Sequence, residues 1–155
     1  LGHEALRLIR ERFGTVGLFE NTPYPAMPNV LSTLQAAGLR LFIATSKPTV
    51  YAQQIVQHFD LERFFLVVYG SELDGRLTHK SELIRHVLQQ ESLDSSHTLM
   101  IGDREHDMLG AKANGVAGAG VTWGYGSPTE LTNAGATTLL HHPNDLLKFL
   151  GFNTL

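Results

Sequence analysis

Thr98-Leu-Met-Ile-Gly-Asp103-Arg-Glu-His-Asp107 is the stretch whose reading decides the fold. A short apolar run with strand character ends on a glycine and an acid, and a helical pattern begins straight after, at Glu105. In α/β sheets ligands bind beyond the carboxyl ends of the strands, near the switch in strand order. Asp103 leaves a strand tip in that position, and Asp107 follows one helical turn later. Two carboxylates so placed can hold a hard cation such as Mg²⁺, directly or through its waters. A plainer reading makes Asp103 a helix cap, but the second acid at the fourth position favours the metal.

Working outward, the chain alternates. Pro28 to Ala37 reads as a helix stopped by Gly38, followed by an apolar strand from Leu39 to Thr45. A helix from Pro48 to His58, a strand from Leu66 to Tyr69 and a helix from Lys80 to Gln90 lead into Thr98–Ile101. After it come a helix from Glu105 to Asn114 closed by Gly115, strands over Val116–Val121 and Thr137–Leu140, and a last helix from Asp145 to Leu150. Short apolar strands alternating with helices imply a doubly wound parallel sheet, an α/β fold of Rossmann type. Leu1 to about Phe13 reads as an amphipathic helix, with Leu6, Ile9 and Phe13 at helical spacing. Asn21-Thr-Pro-Tyr-Pro25 is a breaker cluster and reads as a hinge.

Two further strand tips carry chemistry. Ala44-Thr45-Ser46-Lys47-Pro48 lies where a strand meets a helix start, so the Thr45 hydroxyl and the Ser46 backbone N–H form a natural phosphate clamp, or simply a cap. Lys80 opens a helix, where a cation is unfavourable against the helix dipole by a few tenths of a kcal/mol. That suggests an anion nearby, although a solvated surface lysine fits as well.

The composition narrows the class. With 12 Lys and Arg against 15 Asp and Glu the net charge is −3, which offers no footprint for nucleic acid or an anionic membrane. No apolar run approaches the ~18 residues a membrane span needs. The chain has no cysteine, which excludes disulfides and thiol nucleophiles and agrees with a reducing cytoplasm. Of the eight histidines, His141-His142 would point to opposite faces of a strand and read as loop residues rather than chelators. His106, between the two acids, reads as exposed or as a supporting group. Trp123 and Tyr125 read as the rim of the site or as anchors of a loop.

Strand-Thr, helix-opening Lys and strand-Gly-Asp-x-x-x-Asp, in that order, resemble the second, third and fourth motifs of the haloacid dehalogenase superfamily. Glu20-Asn-Thr-Pro-Tyr-Pro, Gly70-Ser-Glu-Leu-Asp-Gly and Val121-Thr-Trp-Gly-Tyr-Gly resemble its phosphoglycolate phosphatase branch, whose members carry a helical cap. The resemblance implies a haloacid dehalogenase-like core over residues 22–155, with residues 1–21 the end of the cap. It implies Thr45, Ser46 and Lys80 as phosphate-binding residues, with Thr45 and Lys80 also taking part in catalysis. It implies Mg²⁺ as cofactor, bound by Asp103 and supported by Asp107. The reaction implied is hydrolysis of a small phosphate monoester through an aspartyl-phosphate, on phosphoglycolate or a similar compound. The alternatives are a nucleoside 5′-monophosphate, or a non-catalytic relative that binds phosphate or a partner. A receiver domain is disfavoured because receivers place the acidic pair before the Thr and Lys.

The sequence departs from the family at one point. The first motif, Asp-x-Asp-Gly-[Thr/Val] at the tip of the central strand, occurs nowhere in these 155 residues. The chain is therefore expected to be a fragment lacking its first strand and nucleophile. It is expected to be inactive alone, and to leave a gap or an altered pairing between the strands ending at Thr45 and Ile101. Poor folding or self-association through those open edges would follow.

Overall fold

The structure, a computed structural model, describes residues 6–9 and 26–152. Six parallel strands form one sheet in the order β3-β2-β1-β4-β5-β6. They are β1 (Leu6–Ile9), β2 (Arg40–Pro48), β3 (Val67–Ser71), β4 (Thr98–Gly102), β5 (Ala117–Val121) and β6 (Thr138–Leu140). The helices are α1 (Met27–Ala36), α2 (Thr49–His58), α3 (Lys80–Gln90), α4 (Glu105–Ala113), α5 (Pro128–Asn133) and α6 (Pro143–Phe149). The order runs outward to β3 on one side and to β6 on the other, so the switch in direction falls at β1 and β4, where such sheets bind ligands.

Alternation along the strands shows why both faces are covered. Leu41 and Ile43 of β2 and Leu99 and Ile101 of β4 join one apolar cluster with α1, α2 and α6. Phe42 and Met100, one residue out of phase, join a second cluster with α3, α4 and α5. A strand buried on both sides needs apolar residues at every position, as the run Leu41-Phe-Ile-Ala44 supplies.

Three expectations change. Residues Leu6–Ile9, read above as part of an amphipathic helix, form a strand between β2 and β4, with Leu6 opposite Arg40 and Thr98 and Ile9 opposite Ile43 and Ile101. The physical reason is the pair of open ladders on β2 and β4, because each buried unpaired backbone group costs about 1–3 kcal/mol. This is the altered pairing foreseen as one of two outcomes. With β1 in place, neither interior edge is open, so the proposed route to self-association through them is closed. The remainder of the Leu1–Phe13 helix and the Asn21–Pro25 hinge lie outside the described residues.

Second, β2 continues through Ser46 and Lys47 to Pro48, and α2 starts at Thr49. The pairing with β3 shifts register between Ala44 and Pro48. Pro48 has ψ 141, an extended conformation that ends the strand rather than opening the helix. Third, α5 (Pro128–Asn133) was not anticipated. The remaining elements match the expected pattern to within a residue or two at most ends.

Candidate active site

Four of the five anticipated residues meet at the carboxyl ends of β2 and β4, on either side of the central strand. Thr45 lies within the last residues of the extended β2, Asp103 leaves the tip of β4, Lys80 opens α3, and Asp107 lies in the first turn of α4. All four are buried.

Lys80 is the hub. Its Nζ donates to the Ala44 carbonyl at 2.9 Å and stands 3.1 Å from Asp107 Oδ1, with 2% and 0% of the two side chains exposed. The anion suggested by a lysine at a helix start is thus a residue of the chain itself, and the surface reading of Lys80 is overturned. Gly110 makes the approach possible, since a Cβ there would crowd the Lys80 Cγ at 2.9 Å. Removing a side chain from α4 lets that helix lie against the start of α3.

Asp107 turns its other oxygen to the backbone. Oδ2 accepts from the N–H groups of Asp103 and Arg104, both at 3.2 Å. The carboxylate therefore caps the amino end of its own helix, where the dipole favours a negative charge. A Cβ at Gly102 would collide with the Asp107 carboxylate, so that glycine is needed for the turn. Asp107 thus faces the backbone with Oδ2 and Lys80 with Oδ1, the latter as an ion pair without a hydrogen bond.

Asp103 is clasped from the other side. Tyr125 N–H donates to its Oδ2 at 3.1 Å, and Gly126 N–H donates to its carbonyl at 2.8 Å. A Cβ at Gly124 would collide with the Asp103 side chain, and one at Gly126 with its carbonyl. The Trp-Gly-Tyr-Gly segment after β5 is therefore a strap laid against the β4–α4 turn. Trp123 anchors it by packing against the apolar cluster that includes Met27, Ile101 and Leu146, while Tyr125 stands 48% exposed beside it. Of the two readings of these aromatics, Trp123 is the anchor and Tyr125 the exposed one.

Thr45 and Ser46 are placed less simply. The Thr45 hydroxyl accepts from Lys47 N–H at 3.2 Å. Ser46 is half-buried within the extended end of β2. Because α2 begins three residues later, the Ser46 N–H does not sit at a helix N-terminus, and any anion it meets is held without help from that dipole.

The sequence reading missed Glu130. Its Oε2 accepts from Arg104 Nε at 3.0 Å and from Glu105 N–H at 2.8 Å, tying α5 to the start of α4. The signal was present as Ser127-Pro-Thr-Glu130, a Ser cap with Pro in the first turn and Glu at the third position. Ser127 Oγ accepts from Glu130 N–H at 3.0 Å. The Arg104 guanidinium, followed by the Glu105 N–H, holds the Glu130 carboxyl below its ordinary range. His106 is exposed. His141 and His142 lie at the start of α6, where His142 Nδ1 accepts from Asn144 N–H at 3.1 Å and His141 Nδ1 meets Thr122 Oγ1 at 2.9 Å.

For a hard cation, the donor on offer is the Asp103 carboxylate, 1% exposed at the switch in strand order. Among the described residues, no group of three His, Asp or Glu converges on one point. Mg²⁺ characteristically takes one or two protein carboxylates and completes its shell with waters and substrate phosphate, so a single buried carboxylate fits it as part of a set.

A parallel sheet with this order and these tips defines a class, and the sequence match agrees. Residues 4–121 match the haloacid dehalogenase-like hydrolase family, and the chain belongs to that family. Among its relatives, the 5′-nucleotidase of Pseudomonas aeruginosa is 53% identical over 128 residues, which is 83% of this chain and 58% of the relative. The phosphoglycolate phosphatase of Escherichia coli K12 is 29% identical over 96% of this chain and 60% of its own length. Among solved structures, a predicted phosphatase from Clostridium acetobutylicum superposes with TM-score 0.84 and 42% identity, over 88% of this chain and 63% of the other. The chain thus spans about three-fifths of the length of these relatives.

Proposed function

We propose that this chain is the phosphate-binding core of a Mg²⁺-dependent phosphatase that hydrolyses a small phosphate monoester in the cytoplasm. The observation that carries the reading is the convergence of Thr45, Lys80, Asp103 and Asp107 at the carboxyl edge of the sheet, with Lys80 buried against Asp107. Three of these are charged groups held almost without solvent, an arrangement that suits stabilisation of a transferring phosphoryl group.

Lys80, fixed by Asp107 and the Ala44 carbonyl, presents a positive charge beside the central strand. The Thr45 hydroxyl and Ser46 N–H lie at the neighbouring tip, where they can orient phosphoryl oxygens. Asp103 would hold Mg²⁺, which when bound neutralises developing charge on those oxygens. The nucleophile would be an aspartate of a further segment, at the end of a strand that takes the place β1 holds here between β2 and β4, and it forms an aspartyl-phosphate. Residues 1–21, of which Leu6–Ile9 pairs as β1 in this chain, would be the end of a cap once such a strand displaces them.

Two substrates are supported unequally. The 53% identity to a 5′-nucleotidase favours a nucleoside 5′-monophosphate over phosphoglycolate, whose named phosphatase is 29% identical. The test is a panel of phosphate monoesters offered to the intact protein with and without Mg²⁺. Hydrolysis should require the metal and be nearly abolished in Asp103→Asn. The 155-residue chain alone should not hydrolyse p-nitrophenyl phosphate. Mg²⁺-dependent turnover by that chain alone would overturn the assignment of the nucleophile to a further segment.

A further inference from the structure

Arg104 is an awkward neighbour for a cation site. Its guanidinium is carried by the residue next to Asp103, and a positive charge there competes with a metal ion for the same carboxylate. The structure shows where that charge is kept. Arg104 Nε donates to Glu130 Oε2 at 3.0 Å, and the same oxygen accepts from Glu105 N–H at 2.8 Å. Glu130 is itself fixed, because its N–H donates to Ser127 Oγ in the cap of α5. One turn of α5 thus directs a carboxylate at the start of α4.

The geometry points to Glu130 as a positioning residue for the cation site: it holds the Arg104 guanidinium on the α5 side of the β4–α4 turn and leaves the Asp103 carboxylate available to a divalent cation. The inference rests on the reading of Asp103 as the cation ligand. A further observation supports it. Gly126 lies between the Asp103 backbone carbonyl, which accepts its N–H, and the Glu130 carboxylate, whose Oε2 a Cβ there would approach to 3.0 Å. The Glu130 clasp and the Asp103 clasp are therefore two ends of one strap.

A pure brace and a charge-sequestering pair predict different things. Glu130→Gln keeps the shape, and its amide oxygen can still accept from Glu105 N–H, but it loses the attraction for Arg104. If Arg104 is then free to turn to Asp103, cation affinity falls. If Glu130 merely props two loops together, removing Arg104 should do as much harm as removing the Glu130 charge.

The experiment measures Mn²⁺ binding to the intact protein by the electron paramagnetic resonance of free Mn²⁺, with Mg²⁺ as competitor, so that no turnover is needed. Glu130→Gln should weaken binding about 10- to 100-fold, the range seen when a group behind a metal ligand is removed. Arg104→Gln should bind at least as tightly as wild type. The double variant R104Q/E130Q should return to within about threefold of wild type, which is roughly 0.65 kcal/mol. Thermal melts of each variant confirm folding, and the double variant keeps the test decisive if Glu130→Gln alone is unstable. Unchanged affinity in Glu130→Gln, or a double variant as weak as Glu130→Gln, overturns the inference. Asp103→Asn serves as the separate control: if it binds Mn²⁺ like wild type, the cation reading of the site fails and this inference fails with it.

Discussion

Lys80→Met tests whether the centre of the site is also its main point of stored electrostatic energy. Methionine keeps most of the lysine stem, which packs against Gly110, and removes only the charge. Asp107 would retain the N–H groups of Asp103 and Arg104 at 3.2 Å but lose the ammonium 3.1 Å from its Oδ1. Both side chains are essentially without solvent, at 2% and 0% exposed, so water cannot replace the missing partner. Breaking such a pair from one side costs about 3–5 kcal/mol. At about 2–4 °C per kcal/mol for a protein of this size, the melting temperature should drop by roughly 6–20 °C. Urea unfolding of wild type, Lys80→Met, Asp107→Asn and the double variant gives a complete cycle. The double variant should be more stable than the sum of the singles predicts, because it buries no lone charge. A loss under about 1 kcal/mol in Lys80→Met, or singles that add within about 0.5 kcal/mol, would refute the account of a tightly coupled buried pair.

Gly124→Ala places a Cβ against the Asp103 side chain. It should cost about 1–3 kcal/mol of stability and weaken Mn²⁺ binding by about tenfold or more; retained affinity would mean that the strap does not position Asp103. The Glu130 carboxyl is held below its ordinary 4.5 by Arg104 first and the Glu105 N–H second. A depressed acid stabilises fully above its unfolded value and loses that contribution as pH falls through its folded value. The melting-temperature gap between wild type and Glu130→Gln should therefore be constant above pH 4.5 and close below it; a gap that widens on acidification would contradict the sign. Finally, Leu8 pairs with Met100, and adjacent strands are about 4.8 Å apart, within reach of a disulfide. The chain has no cysteine of its own, so L8C/M100C in the 155-residue chain should oxidise to an intramolecular bridge, read by mass spectrometry; an unreactive pair would place Leu6–Ile9 elsewhere.

The parts of the site that were legible in the sequence share one property: each is a chemical residue at the end of a periodic element. Asp103, Thr45 and Lys80 stand where an apolar strand stops or a helix starts, so the period of the neighbours locates them. What the sequence hid are contacts made across the fold. Nothing local says that Gly110 must lack a side chain for Lys80 to reach Asp107, or that Gly124 and Gly126 let one loop lie on another. Glu130 was hidden for a different reason. Its helix has only six residues, too short to show a period of 3.6, and its cap signal, Ser127-Pro-Thr-Glu, was the one available clue. The end of β2 was misjudged because Pro48 suits both a first helical turn and an extended strand end. The choice between them came from pairing with β3, where Gly70 N–H donates to Thr49 Oγ1 at 3.0 Å and the strands cross too closely for a Cβ on Gly70.

β1 shows how far tertiary context can override local pattern. Leu6-Arg-Leu-Ile9 has apolar residues at helical spacing and equally at the density of a short buried strand; four residues cannot separate the two periods. An isolated helix of about 13 residues is marginal in water, so its own preference is small. The position between β2 and β4 offers a ladder on each side, and four residues there pair with both neighbours in register. Two ladders outweigh one weak helix, and the strand wins. The same reasoning sets a condition on any longer protein that contains this chain. The family resemblance assigns this position to a strand ending in Asp-x-Asp, and an apolar strand of comparable length would form the same ladders there. Leu6–Ile9 has no carboxylate to offer Lys80 or a cation at Asp103. A segment that brings both pairing and an aspartate therefore gains the ladders that β1 makes plus the electrostatics of the site, and should displace β1 from the centre of the sheet.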